Sequence, residues 1–254
     1  MEYSVRVKVA GGVVGVAAVI GVSILTSTLV ASRAYENRAK HAAAQAAQIS
    51  VRGSARQRIT SDLATWTIGV RSEGAEQGAA FESIETATRR VADFLTQQGF
   101  AKDEVELAAI DTRVYRKSDD KGKETREIAG VGMDRQFVVS SRDVAKVAKA
   151  SAAVTELLKD GVQVVSYRPS FLYTKLPDLR ITIAGEAAKD ARARADEIAG
   201  KSGARVTDVR SLYTAPIQVT QPNSTDVSGS GSYDTATIEK DVFVSVTATY
   251  GIGS

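Results

Sequence analysis

The chain has 254 residues, of which 43% are hydrophobic and 25% charged, with a net charge of +3 and no cysteine. That length supplies, beyond any membrane segment, one large domain or two small ones with a real core. The absence of cysteine excludes disulfides, thiolate catalysis and Cys-based metal sites, and a small net charge spread over evenly scattered Lys and Arg argues against nucleic acid as a partner.

Residues 1–8 form a short N-terminus with Arg6 and Lys8, and the next twenty-three residues, 9–31, carry no charged side chain. As a helix rising ~1.5 Å per residue this run is about 35 Å long, enough to cross a hydrocarbon core of about 30 Å with some tilt. A cleaved secretory signal has an apolar region of ~7–15 residues before a small-x-small cleavage site. Here the run is longer and Ser32-Arg33-Ala34 sets a cation between the small residues, so a retained transmembrane helix is expected over 9–31. Flanking charge does not fix its orientation, because Arg33, Arg38 and Lys40 after the run offset Arg6 and Lys8 before it. The lengths on either side do: a long domain translocates largely regardless of charge, which puts the N-terminus in the cytoplasm and the body in the periplasm of a two-membrane bacterium. Gly11 and Gly15 form a G-x-x-x-G pair and Ala17 and Gly21 a looser small-x-x-x-small pair, spacings that let membrane helices pack closely and that also arise by chance in Gly- and Ala-rich spans.

Residues 32–48 are rich in alanine without Gly or Pro, which predicts a helical stalk. His41, the only histidine, lies there without partners for a metal and reads as a solvated or packing residue. From Ile49 the period becomes two. Ile49, Val51, Gly53 and Ala55, then Ala64, Trp66, Ile68 and Val70, alternate with polar residues as half-buried strands do. Phe81, Ile84, Thr88, Val91 and Leu95 recur at helical steps up to Gly99. Residues 105–117 and 128–139 read as strands around a polar turn at 118–124.

Ser140 and Ser141 read as caps of a second helix, with Ser140-x-x-Asp143 close to a capping box and an apolar stripe of Val144, Val147, Ser151, Val154 and Leu158 closed by Gly161. In residues 162–176, Val165, Tyr167, Phe171 and Tyr173 share one parity, hence one face. Pro177-Asp178 opens a third helix with a small inner face of Ala184, Ala188, Ala191, Ala195 and Ile198. A strand at 205–218, a Ser/Thr/Gly-rich loop at 222–237 expected to be mobile, and a strand at 242–250 with Val242, Val244, Val246, Ala248 and Tyr250 on one face complete the chain. Hairpins connect most strands, which predicts an α+β fold of mostly antiparallel sheet with about three helices, containing a split β-α-β-β-α-β unit over 64–173.

Several stretches carry a resemblance. Ile49-Ser-Val-Arg-Gly-Ser-Ala followed by Ile59-Thr-Ser-Asp-Leu-Ala64, the run 105–114, Glu127-Ile-Ala-Gly130, and Asp190-Ala-Arg-Ala-Arg-Ala195 with Ala199 and Gly203 resemble the SIMPL-domain family, a group that includes a bacterial periplasmic immunogenic protein. The resemblance runs from Ile49 to Tyr250, so the domain is placed at 49–254. Ser61-Asp62 stands where relatives often have Pro-Asp, and Val131 where an aromatic residue commonly follows the glycine. Many relatives also carry a cleaved signal. The resemblance implies an extracytoplasmic protein without established catalysis, some relatives of which assemble into large hollow rings, with a loose link to envelope and oxidative stress.

No chemistry in the sequence displaces that expectation. Gly130-Val-Gly132 precedes a strand, the wrong context for a dinucleotide fingerprint. Ser118-x-x-Lys121 has the spacing of some acyl enzymes but sits in a polar turn. With the one histidine in the stalk, a Ser-His-Asp triad has no base. Asp103/Glu104 and Asp119/Asp120 lack calcium-loop or glycosidase context. We therefore expect no catalytic, cofactor-binding or metal residues. The expected protein is a non-enzymatic, membrane-anchored one that assembles with itself into a large ring on the periplasmic face of the inner membrane in a scaffolding or envelope-stress role. Its partners are further copies of itself, membrane lipid through the N-terminal helix, and an unidentified envelope protein. The alternative is a periplasmic binding module for a peptide or envelope component, with Trp66, Phe171 and Tyr173 as contacts, residues that packing in the core would equally explain.

Overall fold

The computed structural model describes residues 47–253. The expected transmembrane helix, its packing residues Gly11, Gly15, Ala17 and Gly21, His41 and the stalk up to residue 46 lie outside the described residues. At the end of the expected stalk, Gln48 already belongs to the first strand. Among the described residues no helix is long and apolar enough to cross a membrane.

The chain divides into two compact units, one made of Ser54–Ala187 and Thr214–Ser245, the other of Ala188–Tyr213, Val246–Ser254 and the described part of Met1–Gly53. The first strand, β1 (Gln48–Thr60), and the third helix, α3 (Leu176–Lys201), each contribute to both.

In the larger unit β2 (Leu63–Gly74) is followed by α1 (Gln77–Gln97), β3 (Val105–Leu107), β4 (Asp111–Ser118), β5 (Glu124–Ser141), α2 (Val144–Ala153), β6 (Val164–Ser166) and β7 (Ser170–Leu172). These strands form a six-stranded sheet in the order β3-β5-β2-β6, with β4 also on β5 and β7 also on β2, and every pairing is antiparallel. The expected split β-α-β-β-α-β unit is therefore present. Its register places Trp66 opposite Val139 and Ile68 opposite Phe137, so the even residues of β2 and the odd residues of β5 share the face that meets the helices. Ala64, Trp66, Ile68 and Val70 pack there with Ile84, Val91 and Leu95 of α1 and with Val147 and Val154.

Several expectations shift on this frame. Phe81 is 48% exposed and Ala80 takes the inner position in the first turn of α1, where Gly74 of β2 lies so close that a Cβ on it would meet the Ala80 backbone nitrogen at 2.9 Å. Gly99, at φ +81°, does end the helix. The strand read at 105–117 breaks at 108–110. Ser140 and Ser141 stay in β5, and Asp143 caps α2 instead, its carboxylate accepting the Lys146 N–H at 2.9 Å. Beyond Ala153 the helix tightens into a 3-10 turn, Val154–Asp160, which turns Leu158 to solvent. Residues 162–176 form two short strands around Pro169, with Val164 and Phe171 buried and Val165 and Tyr167 outside, so the four apolar residues of one parity do not share a face.

The rest of the chain comprises β8 (Arg205–Thr214), β9 (Gln218–Thr220), β10 (Ser232–Tyr233) and β11 (Glu239–Gly253). The strand read at 205–218 is interrupted at 215–217 around Pro216. Val242, Val244, Val246, Ala248 and Tyr250 are all buried, as their alternation requires. In α3 the buried positions are Leu176, Leu179, Ile183, Ala187, Ala191, Ala195 and Ala199, while Ala184 and Ala188 are half-buried and Ile198 is 50% exposed. The inner face is small, as expected, but follows steps of four from Ile183. In the smaller unit Ala191 and Ala195 pack on Val51, Ala248 and Tyr250. Arg192 lies 5.2 Å from the Tyr250 ring centroid and donates to the backbone carbonyls of Val206 and Thr207, tying α3 to β8.

Candidate functional site

The aromatic residues expected to form a binding surface are dispersed. Trp66 is 1% exposed, and its Nε1–H donates to Ser166 Oγ at 3.1 Å. Phe171, opposite Ala64 on β7, joins the same core. Only Tyr173 remains half-buried, its backbone N–H donating to the Tyr233 phenol oxygen at 3.1 Å. The inward parity of β2 and β7 turns the first two into packing residues and removes them as ligand contacts.

What the larger unit presents instead is the outer face of its sheet and a hairpin beyond it. Val138, Val165 and Tyr167 are exposed on that face beside half-buried Thr65 and Thr67. Arg71 Nε donates to Asp134 Oδ1 at 2.7 Å, and Arg113 approaches the other carboxylate oxygen at 3.5 Å. Past Gly130 the β4–β5 hairpin loses cover on both faces: every residue of β4 is exposed, including Val114 and Tyr115, and so is Ile128 opposite Arg116. Tyr115 crosses the sheet over Gly132, where an added Cβ would meet its hydroxyl at 2.7 Å, so glycine is required there for the ring to lie flat. Among the described residues β4 pairs only with β5, which leaves it an edge strand.

Polar clusters brace this frame. Glu104 accepts from Lys146 Nζ at 2.8 Å, from the Ala101 N–H at 2.9 Å and from Ser141 Oγ. Burial pushes its carboxyl up, but the bonds from Lys146, Ser141 and Ala101 outweigh burial and hold it at about 2. Burial pushes the Asp62 carboxyl up, but the Thr174 N–H and hydroxyl, donating to it at 2.7 and 2.8 Å, together with its own N–H and the Lys175 charge outweigh burial and keep it below the ordinary range. Asp241, nearly fully buried, is held low chiefly by the Arg58 guanidinium and by the Asn223 N–H at 2.8 Å.

The loop at 222–237, expected to be mobile, is hydrogen-bonded at its start, middle and end. The Asp241–Asn223 bond fixes its start. The buried Gln218 amide donates to the carbonyls of Pro216 and Ser228 and accepts from the Ser228 N–H and Ser232 hydroxyl, and β10 lies parallel to β9. Fully buried Lys240 pairs with Asp234 at 3.0 Å and donates to the Thr237 carbonyl, closing the end. This order creates a cleft of about 490 Å³ lined by Arg180 and Ala184 of α3, residues 214–217, residues 230–233 and Val244. Sequence reasoning missed it. Arg180 looks like any exposed cation on a helix, and a Ser/Gly-rich loop gives no sign of the buried amide that organises it. Among the described residues no three His, Asp or Glu side chains converge as metal ligands.

The chain matches, over residues 49–250, the family described as "SIMPL: Protein of unknown function (DUF541)". No curated protein matches it. Among solved structures it is similar to a de novo designed protein, Foldit4, at 12% identity over 42% of this chain and 96% of that one, with a TM-score of 0.24. It is also similar to the regulatory subunit of aspartate kinase from Thermus thermophilus, ligand-free form, at 13% identity over 76% and 86% of the two chains, with a TM-score of 0.20. An uncharacterized conserved protein from Listeria innocua matches at 8% identity over 78% and 92%, with a TM-score of 0.20. Scores this low establish neither fold nor function.

Proposed function

Because the chain belongs to the SIMPL family, we propose that it is a non-enzymatic, membrane-anchored protein of the periplasm that assembles with copies of itself into a large hollow ring on the inner membrane, in a structural role in the envelope. Residues 9–31 are the anchor. Confining each copy to a plane in one orientation raises the effective concentration of its neighbours, and head-to-tail contacts between copies so arranged close into rings about the membrane normal. The observation that carries this reading is the β4–β5 hairpin, an edge strand exposed on both faces with Val114, Tyr115 and Ile128 in solvent. Unpaired backbone groups on such an edge add readily to a neighbouring sheet, and its apolar side chains gain burial on doing so.

No residue from Val114 to Ile128 belongs to the hydrophobic core, so replacing residues 114–128 by an Asn-Gly turn, which removes Val114, Tyr115 and Ile128 together, tests the reading. The expected outcome is an unchanged circular dichroism spectrum and unfolding midpoint with a particle in mild detergent much smaller than that of the parent chain. An unchanged particle mass in a folded variant removes the hairpin as the assembly contact.

A further inference from the structure

The cleft beside Arg180 has the size of a small-molecule site, about 490 Å³, within the range of ~300–1,000 Å³ usual for such clefts. Its walls are fixed before any ligand arrives. One buried side chain, Gln218, makes four hydrogen bonds that hold the 214–217 segment against the 228–232 turn, at 3.1 Å to Pro216 O, 2.8 Å to Ser228 O, 3.1 Å from Ser228 N and 3.0 Å from Ser232 Oγ. Gly231, at φ +92°, brings the two segments so close that a Cβ there would lie 2.9 Å from the Ile217 carbonyl oxygen. A loop of such polar composition gains little from burial, so this much internal bonding leaves a preformed concavity as its product.

The lining has a definite chemistry. Val244 is buried and Ala184, Ala215 and Ile217 are half-buried, which supplies apolar surface. Arg180 is the only charged residue on the wall, and it makes no ion pair or hydrogen bond among the described residues. Among the described residues no carboxylate lines the cleft. The Tyr233 oxygen accepts the Tyr173 N–H, which leaves the phenolic proton free to donate. An unpaired guanidinium presents the fork that matches a carboxylate, and the apolar wall selects a body that water does not hold. We propose that this cleft binds a small amphipathic carboxylate, either a free organic acid or the carboxy terminus of a peptide, with Arg180 engaging the carboxylate and Val244, Ile217 and Ala184 the apolar part. The site goes beyond the assembly reading and does not depend on it.

Titration calorimetry on the full chain in mild detergent, with N-acetyl-leucyl-leucine, its C-terminal amide and 4-methylpentanoate as probes, tests the assignment. The dipeptide acid should bind at least about tenfold more tightly than its amide, the lower end of what a charge-assisted hydrogen bond to a guanidinium is worth. Arg180→Gln should reduce its affinity to that of the amide. If 4-methylpentanoate binds as tightly as the dipeptide acid, the ligand is a free acid; if it binds more weakly, a peptide terminus. Ala184→Phe, which fills the cleft from the helix side, should abolish binding of both acids. Equal affinity for acid and amide, an unchanged affinity in Arg180→Gln, no binding by either acid, or retained binding in a folded Ala184→Phe variant would each overturn the proposal.

Discussion

Glu104→Gln keeps the shape of the carboxylate that joins the Ala101 N–H, Ser141 at the end of β5 and Lys146 in the first turn of α2, and removes its charge. The folded protein holds this carboxyl at about 2 against an ordinary value of 4.5. A displacement from 4.5 to about 2, at about 1.4 kcal/mol per pH unit, sets a ceiling of about 3.4 kcal/mol on the stabilisation at neutral pH. The Glu104 side chain is 22% exposed and Lys146 is similarly so, and screening by that solvent brings the expected contribution to about 2 kcal/mol. For a chain of this size that corresponds to a fall in Tm of roughly 4–8 °C. Because the folded value is depressed, the stabilisation is fully present above pH 4.5 and drains away as the pH falls towards 2. Urea unfolding of parent and variant in mild detergent at pH 7, 5 and 3 should therefore give curves well separated at the first two and converging at the third. A variant within about 0.5 kcal/mol of the parent at pH 7, or a separation that stays constant down to pH 3, would refute the reasoning, the first being the ordinary scatter of neutral surface changes.

Three further outcomes are expected. Ser61 Oγ is buried without a hydrogen-bond partner, so Ser61→Ala should leave stability unchanged or raise it by up to about 1 kcal/mol in urea unfolding; a clear loss would reveal a partner for the hydroxyl. Trp66, the only tryptophan, should emit at short wavelength, resist iodide quenching and shift to the red only on unfolding, and Trp66→Phe should cost about 2 kcal/mol through lost volume and the lost bond to Ser166; strong quenching of the folded chain contradicts its place in the core. In this Cys-free chain, single cysteines at exposed Ser118 and Ser230 should react with a membrane-impermeant thiol reagent once the outer membrane is opened, and reaction only after inner-membrane lysis would reverse the topology.

Where one face of an element is buried and the other wet, its residues announced it. The alternations of β2 over 64–70 and of β11 over 242–250 survive intact because every inward side chain is apolar and every neighbour but Phe243 is Thr, Ser or Gly. The third helix was harder, since alanines at 184, 187, 188, 191, 195 and 199 fit two overlapping stripes, and only contact with the sheet chooses between them. Val165 and Tyr167 misled because apolar parity says which residues share a face, not whether that face is covered. The order of the 222–237 loop was invisible for a different reason. It rests on buried polar groups, Gln218, Asp241 and the Lys240–Asp234 pair, whose partners lie in other segments and whose types normally signal solvent. The cleft beside Arg180 inherits that invisibility, being made by those bonds.

The central claim is self-assembly, and the most direct measurement is the mass of the intact chain extracted in mild detergent, by light scattering at micromolar concentration with particle imaging of the same sample. A single species of many subunits with a hollow centre is the predicted result. A monodisperse monomer or dimer would contradict the account and leave a binding module as the better description of this protein.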